Sequence, residues 1–274
     1  MPSLHLNLSF MMIWQQYIEI FLIGIGVGFL GGLFGKGGSA IATPLLSLVG
    51  VPGFVAVAAP LPATIPGTFI ASLKYRKSNY LDNTVVLWSV LIGIPATIIG
   101  SYLTKYTGAL PLLILTGILV LVFGISFIVS PKKSGDDNQP TSIIIRPSYW
   151  KLRLTLIASF VGLVSGLLAN SGGFLLAPSF AKILKLPIKN AFACSLAVSM
   201  FLAIPGTIVH VYLGHIDWII TLVLATGSIP FSYIGAGVAI KTKSAKLALM
   251  YGIILTILGI FFLIKLFIPS ASLI

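Results

Sequence analysis

Gly162-Leu163-Val164-Ser165-Gly166-Leu167-Leu168-Ala169-Asn170-Ser171-Gly172-Gly173, with Pro178 shortly after, restates an earlier stretch of the same chain. The earlier stretch is Gly28-Phe29-Leu30-Gly31-Gly32-Leu33-Phe34-Gly35-Lys36-Gly37-Gly38-Ser39, followed by Pro44. Each ends in a glycine cluster that interrupts a run apolar enough to sit in a membrane. Paired, Gly-interrupted hydrophobic segments in corresponding halves are the sequence pointer to a transporter binding site.

The duplication extends well beyond the glycines. At an offset of 134, Gly28, Gly32, Gly38 and Pro44 meet Gly162, Gly166, Gly172 and Pro178. At an offset of 135, Pro52, Asp82, Pro95, Gly100, Gly117 and Gly124 meet Pro187, Asp217, Pro230, Gly235, Gly252 and Gly259. One inserted residue accounts for both offsets. Residues 1–130 and 151–274 therefore read as two copies of one unit, and 131–150 as a linker with the chain's polar run, Lys132 to Gln139.

Composition fixes the environment of these copies. The chain is 57% hydrophobic and 8% charged, with a mean hydropathy of +1.09. A water-soluble domain of 274 residues could not cover its surface with so few charges. Crossing the ~30 Å hydrocarbon core takes about 20 apolar residues. Stretches 11–34, 85–102, 110–129, 152–168, 191–211, 218–240 and 245–267 meet or approach that length, and 53–73 is a further candidate. The net charge of +12 lies mostly in short loops between spans. It reads as a topology signal and as lipid-headgroup contact rather than nucleic-acid binding. No Lys or Arg precedes Lys36, so the first apolar segment is expected to be a span rather than a cleaved leader. Cys194 is the single cysteine, which leaves no intrachain disulfide and no thiolate metal cluster.

The expected fold is an all-α polytopic membrane protein of two five-element halves, with about 8–10 transmembrane helices. In the first half the elements are a long helix to about Phe34, a short one over 38–49, then 53–73, 85–102 and 110–129. The short element, about 18 Å long at 1.5 Å per residue, falls short of the bilayer core and is expected to begin within it. Matched loops carry opposite charge bias. Lys74, Arg76 and Lys77 have no Lys or Arg counterpart in 210–216, whereas Lys182, Lys185 and Lys189 flank a loop whose first-half counterpart, 47–53, is uncharged. Lys241, Lys243 and Lys246 likewise outnumber Lys105 opposite. Opposite bias on matched loops predicts an inverted repeat. It places the basic loops and the linker in the cytoplasm and both termini outside. Five crossings per half, or three plus a re-entrant hairpin, satisfy the same parity.

A helix that starts inside the membrane presents unpaired backbone N–H groups and a partial positive charge. Glycine lets the chain turn at φ > 0 and leaves those N–H groups open, which together make an anion site. The candidate site is therefore Lys36, Gly37, Gly38 and Ser39 at one tip and Asn170, Ser171, Gly172 and Gly173 at the other, facing each other near the midplane. Pro44 and Pro178 must each kink the short helix or free a carbonyl. Gly28, Gly32, Gly162 and Gly166, four apart on the long helices, read as packing positions. Lys36 stands opposite Asn170, so the two tips are not equivalent. It is either an ammonium at depth, held there by a bound anion, or one more positive-inside residue.

These residues resemble the TauE/SafE sulfite exporter family of membrane permeases in both repeats, over nearly the whole chain. Leu213-Gly214-His215-Ile216-Asp217-Trp218 resembles its second-half loop signature. The resemblance implies transport of small sulfur-containing anions, sulfite or organosulfonates, across a prokaryotic cell membrane, without choosing among them. Two positions depart from the family pattern: Lys36 stands where an apolar residue is common, and Ala169-Asn170-Ser171 replaces a Gly-rich triplet.

The remaining polar residues are weighed against their structural roles. Glu19, the one acid inside an expected span, either carries a coupling proton or rests near the outer interface. Asp82 and Asp217 each precede a helix and read as N-caps. Thr64, Ser195 and Ser199 are candidate site-lining hydroxyls, with back-bonding to their own helix as the alternative. His210, His215 and Asp217 are too few for a metal set, and no metal or cofactor is expected. The expected partners are the sulfur oxyanion, the bilayer and a coupling proton or ion. Two rival classes stay open at this point. A passive anion channel would use the same helix ends. An intramembrane enzyme would need an activated nucleophile, a metal set or paired acids within the spans; Ser195 and His210 are the closest offer, and no acid accompanies them in a span.

Overall fold

A computed structural model of the chain describes residues 2–35, 39–103, 109–129, 149–168 and 170–267. The described residues form eleven helices and no strand. In the first half these are α1 (Pro2–Phe34), α2 (Ser39–Leu48), α3 (Gly53–Ala58), α4 (Pro60–Lys77), α5 (Asn83–Leu103) and α6 (Ala109–Val129). In the second they are α7 (Trp150–Leu167), α8 (Gly173–Lys182), α9 (Ile188–Tyr212), α10 (Trp218–Lys241) and α11 (Ser244–Phe267).

Seven spans among the described residues are long and apolar enough to cross a membrane: 14–34, 53–77, 83–103, 150–167, 188–212, 218–241 and 244–261. α6 adds a shorter apolar stretch, Gly117–Val129. The chain is a polytopic all-α membrane protein. Its outward faces carry large apolar side chains such as Leu87, Leu222 and Ile257, each at least 60% exposed, as a lipid-facing surface requires.

The two short helices are where the sequence placed them. α2 and α8 are 10 residues each, about 15 Å at 1.5 Å per residue, half the bilayer core. Both remain α-helical through Pro44 and Pro178. Proline in these helices therefore frees a carbonyl, that of Phe174 in α8, rather than unwinding the turn. Gln16 Nε2 donates to Val49 O at 3.0 Å, which brings the end of α2 back beside the middle of α1.

The 53–73 element differs from expectation in two ways. It divides at Ala59, before Pro60, into α3 and α4, because Pro60 has no N–H to continue the ladder. It also runs on to Lys77, so Lys74, Arg76 and Lys77 lie in the last turn of α4 rather than in a loop. There they meet the negative end of the helix dipole.

Helix pairing follows the glycines. Along α1, a Cβ on Gly24, Gly28 or Gly32 would stand 2.5, 2.3 or 2.0 Å from the carbonyl oxygens of Leu224, Ser228 and Ser232 on α10. On α7, Gly162 and Gly166 meet Gly93 and Thr97 of α5 just as closely, at 2.7 and 2.1 Å. Contacts rise in step along both members, so α1 runs parallel to α10 and α7 parallel to α5. The pairs correspond: Gly28–Ser228 and Gly162–Gly93 stand at matched positions of the two halves. Small residues let the backbones touch where lipid supplies no hydrophobic driving force. α6 and α11 pack through Gly124, Gly252 and Gly259. Here contacts fall as the other index rises, so this pair is antiparallel.

Lys74, Lys182 and Lys189 collect at one end of the bundle. Lys182 Nζ donates to Ser126 O at 2.7 Å and Lys189 Nζ to Ile240 O at 2.9 Å. Both acceptors are carbonyls in the last turns of α6 and α10, which have no intrahelical donor. Lys74 Nζ lies 3.5 Å from the centre of the Tyr233 ring. Lys182 and Lys189 therefore cap the C-terminal ends of α6 and α10.

Candidate functional site

The second tip is fully built among the described residues save Ala169. Gly172 adopts the left-handed conformation, φ 68°, and starts α8 as its N-cap. A Cβ there would press on Val161 at 2.9 Å as well as strain the backbone, so glycine is required twice over. The Asn170 side chain folds back, its Oδ1 accepting from Gly172 N at 2.7 Å. Gly172 O accepts from both Leu175 N and Leu176 N at 3.0 Å. The Ser165 hydroxyl donates to Asn170 O, and Asn170 N donates to Ser165 O at 3.0 Å. These contacts fasten the tip to α7. Gly173 and Phe174, in the first turn of α8, carry amides with no intrahelical acceptor. Asn170, Ser171, Gly172 and Gly173 are all buried, away from the competing hydration of the surface.

The first tip is anchored from α9. Gly35 takes the same left-handed φ of 68°, and a Cβ on it would lie 2.4 Å from Phe192 Cα. Ser195 Oγ donates to Gly35 O at 2.6 Å. Phe34, the last residue of α1, stacks on Tyr251 at 5.4 Å and meets Phe192 edge-on at 6.1 Å. Such aromatic pairs add about 0.5–1.5 kcal/mol each beyond burial, and they fix where α1 ends. Lys36, Gly37 and Gly38 lie outside the described residues. Ser39 opens α2.

The three candidate hydroxyls divide. Thr64 Oγ1 donates to Leu61 O at 3.0 Å, the back-bonding alternative. Ser195 holds Gly35 and also reaches Phe192 O at 3.0 Å. Ser199, one turn on from Ser195 along the same stripe of α9, is fully buried and its Oγ has no hydrogen-bond partner. A buried, unmatched hydroxyl costs about 1–3 kcal/mol, and Ser199 stands one turn from Ser195, which holds the first tip. Ser89 on α5 is buried and unmatched in the same way.

Two buried polar residues were not singled out by sequence reasoning. Ser165 stands one turn before the second tip, and its counterpart, Gly31, gave no hint of a tie between helix and tip. Ser89 has Leu224 as its counterpart, so no repeat signal marked it. Glu19 accepts from Gln15 Nε2 at 3.2 Å on an exposed part of α1. Asp82 and Asp217 are N-caps as expected: Asp82 Oδ1 accepts from Thr84 N and Val85 N at 2.9 and 3.2 Å, and Asp217 Oδ1 from Ile219 N and Ile220 N at 2.8 and 3.0 Å.

Apolar spanning helices around two half-length helices, one of them opened by the left-handed Gly172, fit the architecture of a membrane transporter. The relatives bear this out. Residues 20–262 match the family model described as "Sulfite exporter TauE/SafE", and the chain belongs to that family. It is 24% identical over 264 residues to the probable membrane transporter protein YunE of Bacillus subtilis (strain 168), covering 89% of this chain and 96% of that one. It is 28% identical over 264 residues to the probable membrane transporter protein MJ0441 of Methanocaldococcus jannaschii, covering 89% and 94%. A probable membrane transporter protein of Xylella fastidiosa (strain 9a5c) is 25% identical over 248 residues, covering 88% and 94%. No solved structure matches the chain at a significant level.

Proposed function

We propose that this protein is a secondary transporter that exports small sulfur-containing anions, sulfite or organosulfonates, across a prokaryotic cell membrane by alternating access. The carrying observation is the buried start of α8, where a left-handed Gly172 opens the helix and the first-turn amides lack an intrahelical acceptor. Amides and a helix dipole recognise a compact oxyanion without a metal or a cofactor. Lys36, Gly37, Gly38 and Ser39 would complete the cradle from the first tip, with the Lys36 ammonium as the one fixed positive charge. Ser199 would supply a neutral hydroxyl. Substrate binding, the coupling proton or ion and a role for Glu19 in proton transfer are parts of the same proposal.

Alternating access rests on reading residues 1–130 and 151–274 as inverted copies, joined by a cytoplasmic linker over 131–150. Direction of travel supports this reading. α4 and α10 run in step, since Ser228 Oγ donates to Ala63 O at 3.4 Å and Gly67 packs on Ser232. α4 therefore follows α1, α5 reverses through a five-residue turn, and α7 follows α5. The first helix of the second half then runs opposite to the first helix of the chain. With the lysine-rich end inside, both termini lie outside.

The test is a binding screen of purified protein against sulfite, sulfate, thiosulfate and short sulfonates, read as thermal stabilisation. One or more sulfur anions should stabilise the wild-type protein, and Lys36→Met and Gly38→Leu should each abolish the shift. Stabilisation that survives both substitutions would count against the tips as the site. A wild-type protein unmoved by all four would count against the substrate class.

A further inference from the structure

At the end of the bundle opposite Lys74, Lys182 and Lys189, two histidines meet. His210, in the last turn of α9, and His215, in the turn before α10, bring their Nδ1 atoms to 3.2 Å. His215 N donates to His210 O at 3.1 Å, which closes the backbone between them. The His215 ring also stacks on Phe54 of α3, with centroids 4.8 Å apart and planes 23° from parallel. Both His210 and His215 are half-buried. Asp217 nearby is occupied as the N-cap of α10.

We propose that His210 and His215 form a two-nitrogen chelate for a divalent first-row transition ion of the zinc, nickel or copper type. Two doubly protonated rings would bring N–H donors head to head, so the rings are not both charged; with both neutral and protonated at Nε2, the two Nδ1 lone pairs are free for one ion, which then replaces the Nδ1–H···Nδ1 hydrogen bond that the same separation allows. Metal–imidazole bonds of about 2.0–2.1 Å spanning this separation subtend roughly 103° at the ion, close to the tetrahedral angle. Neutral imidazole selects these ions over magnesium and calcium, which prefer oxygen ligands. Among the described residues no group of three or more His, Cys, Asp or Glu side chains could hold a metal. The remaining positions on the ion therefore go to water, as in an open site. A bound ion would pin the end of α9 to the turn before α10 and, through the Phe54 stack, to α3. It would brace the mouth of the protein opposite the basic end.

The experiment uses tag-free, chelator-treated full-length protein in detergent and follows its thermal midpoint during titration with zinc, nickel and magnesium chlorides. Zinc and nickel should raise the midpoint saturably at pH 7.5 and magnesium should not. The shift should weaken at pH 5.5, where protons compete for the same nitrogens. It should persist in His5→Gln and vanish in His210→Gln and in His215→Gln. Because a variant can fail to fold, copper(II) electron paramagnetic resonance of the unaltered protein gives an independent readout, with two equatorial imidazole nitrogens expected. No zinc or nickel shift, a shift retained in either histidine variant, or a spectrum with fewer than two imidazoles overturns the assignment.

Discussion

Ser195 and Ser199 lie one turn apart on the same stripe of α9, and their removal should move stability in opposite directions. Ser195 Oγ donates to Gly35 O at 2.6 Å and approaches Phe192 O at 3.0 Å. Ser195→Ala removes a donor from the buried turn that ends α1. A lost bond that leaves a buried carbonyl short of its partner costs about 1–3 kcal/mol. Ser199 Oγ has no partner at all, so Ser199→Ala removes an unmatched polar atom and should gain about 1 kcal/mol. At roughly 2–4 °C per kcal/mol for chains near this size, Ser195→Ala lowers the thermal midpoint by roughly 2–12 °C and Ser199→Ala raises it by roughly 2–4 °C. The assay is intrinsic tryptophan fluorescence of purified, ligand-free protein during heating. The same variants carry a second signature if Ser199 serves the anion: a sulfur anion that stabilises the wild type should stabilise Ser199→Ala less. Ser199→Ala falling as far as Ser195→Ala would refute the reasoning, because it would mean that the Ser199 hydroxyl already has a structural partner.

The glycine contacts predict a sharp contrast along α1. Gly32→Ala forces a Cβ to 2.0 Å from Ser232 O, whereas Gly26→Ala meets nothing within 4 Å; the first should cost about 1–3 kcal/mol and the second should gain up to about 1 kcal/mol in helix propensity, both read as thermal midpoints. Gly172→Ala combines a left-handed φ with a 2.9 Å contact to Val161, so it should destabilise by at least about 1–2 kcal/mol and weaken anion stabilisation with it. Asp217→Ala removes an N-cap that accepts two amides and should cost about 1 kcal/mol, with Asp217→Asn or Asp217→Ser recovering most of it.

Much of the fold was legible because a bilayer imposes its own arithmetic. Helix lengths, the half-length elements and the glycine start of α8 followed from apolar run length and from the repeat, and the four-residue glycine spacing on α1 and α7 correctly read as packing. Which helix each stripe would meet was not legible. The crossed pairing of α1 with α10 and α7 with α5 joins the two halves across large sequence separations, and no periodicity within one helix encodes its partner. The end of α4 was misplaced by one turn because Lys74, Arg76 and Lys77 look like a loop until their fit to a helix C-terminus is considered. At the tips, residue types were visible but their tasks were not. Asn170 looked like a ligand, and its side-chain oxygen accepts from Gly172 N–H; Ser195 looked like a lining hydroxyl and fastens a turn. Ser199 became distinct only once the partners of its neighbours were known. Lys36, Gly37 and Gly38 lie outside the described residues, and their part in the cradle rests on sequence.

The most direct measurement of the central claim is flux of labelled sulfite, or of the sulfonate that binds best, in proteoliposomes carrying the purified protein. The account predicts saturable uptake driven by an imposed ion or proton gradient, with Lys36→Met and Gly38→Leu proteoliposomes near the protein-free background. Flux that rises without saturation and passes current in the absence of coupling would contradict it in favour of an open anion pathway, and flux equal in wild-type and protein-free vesicles would contradict it outright.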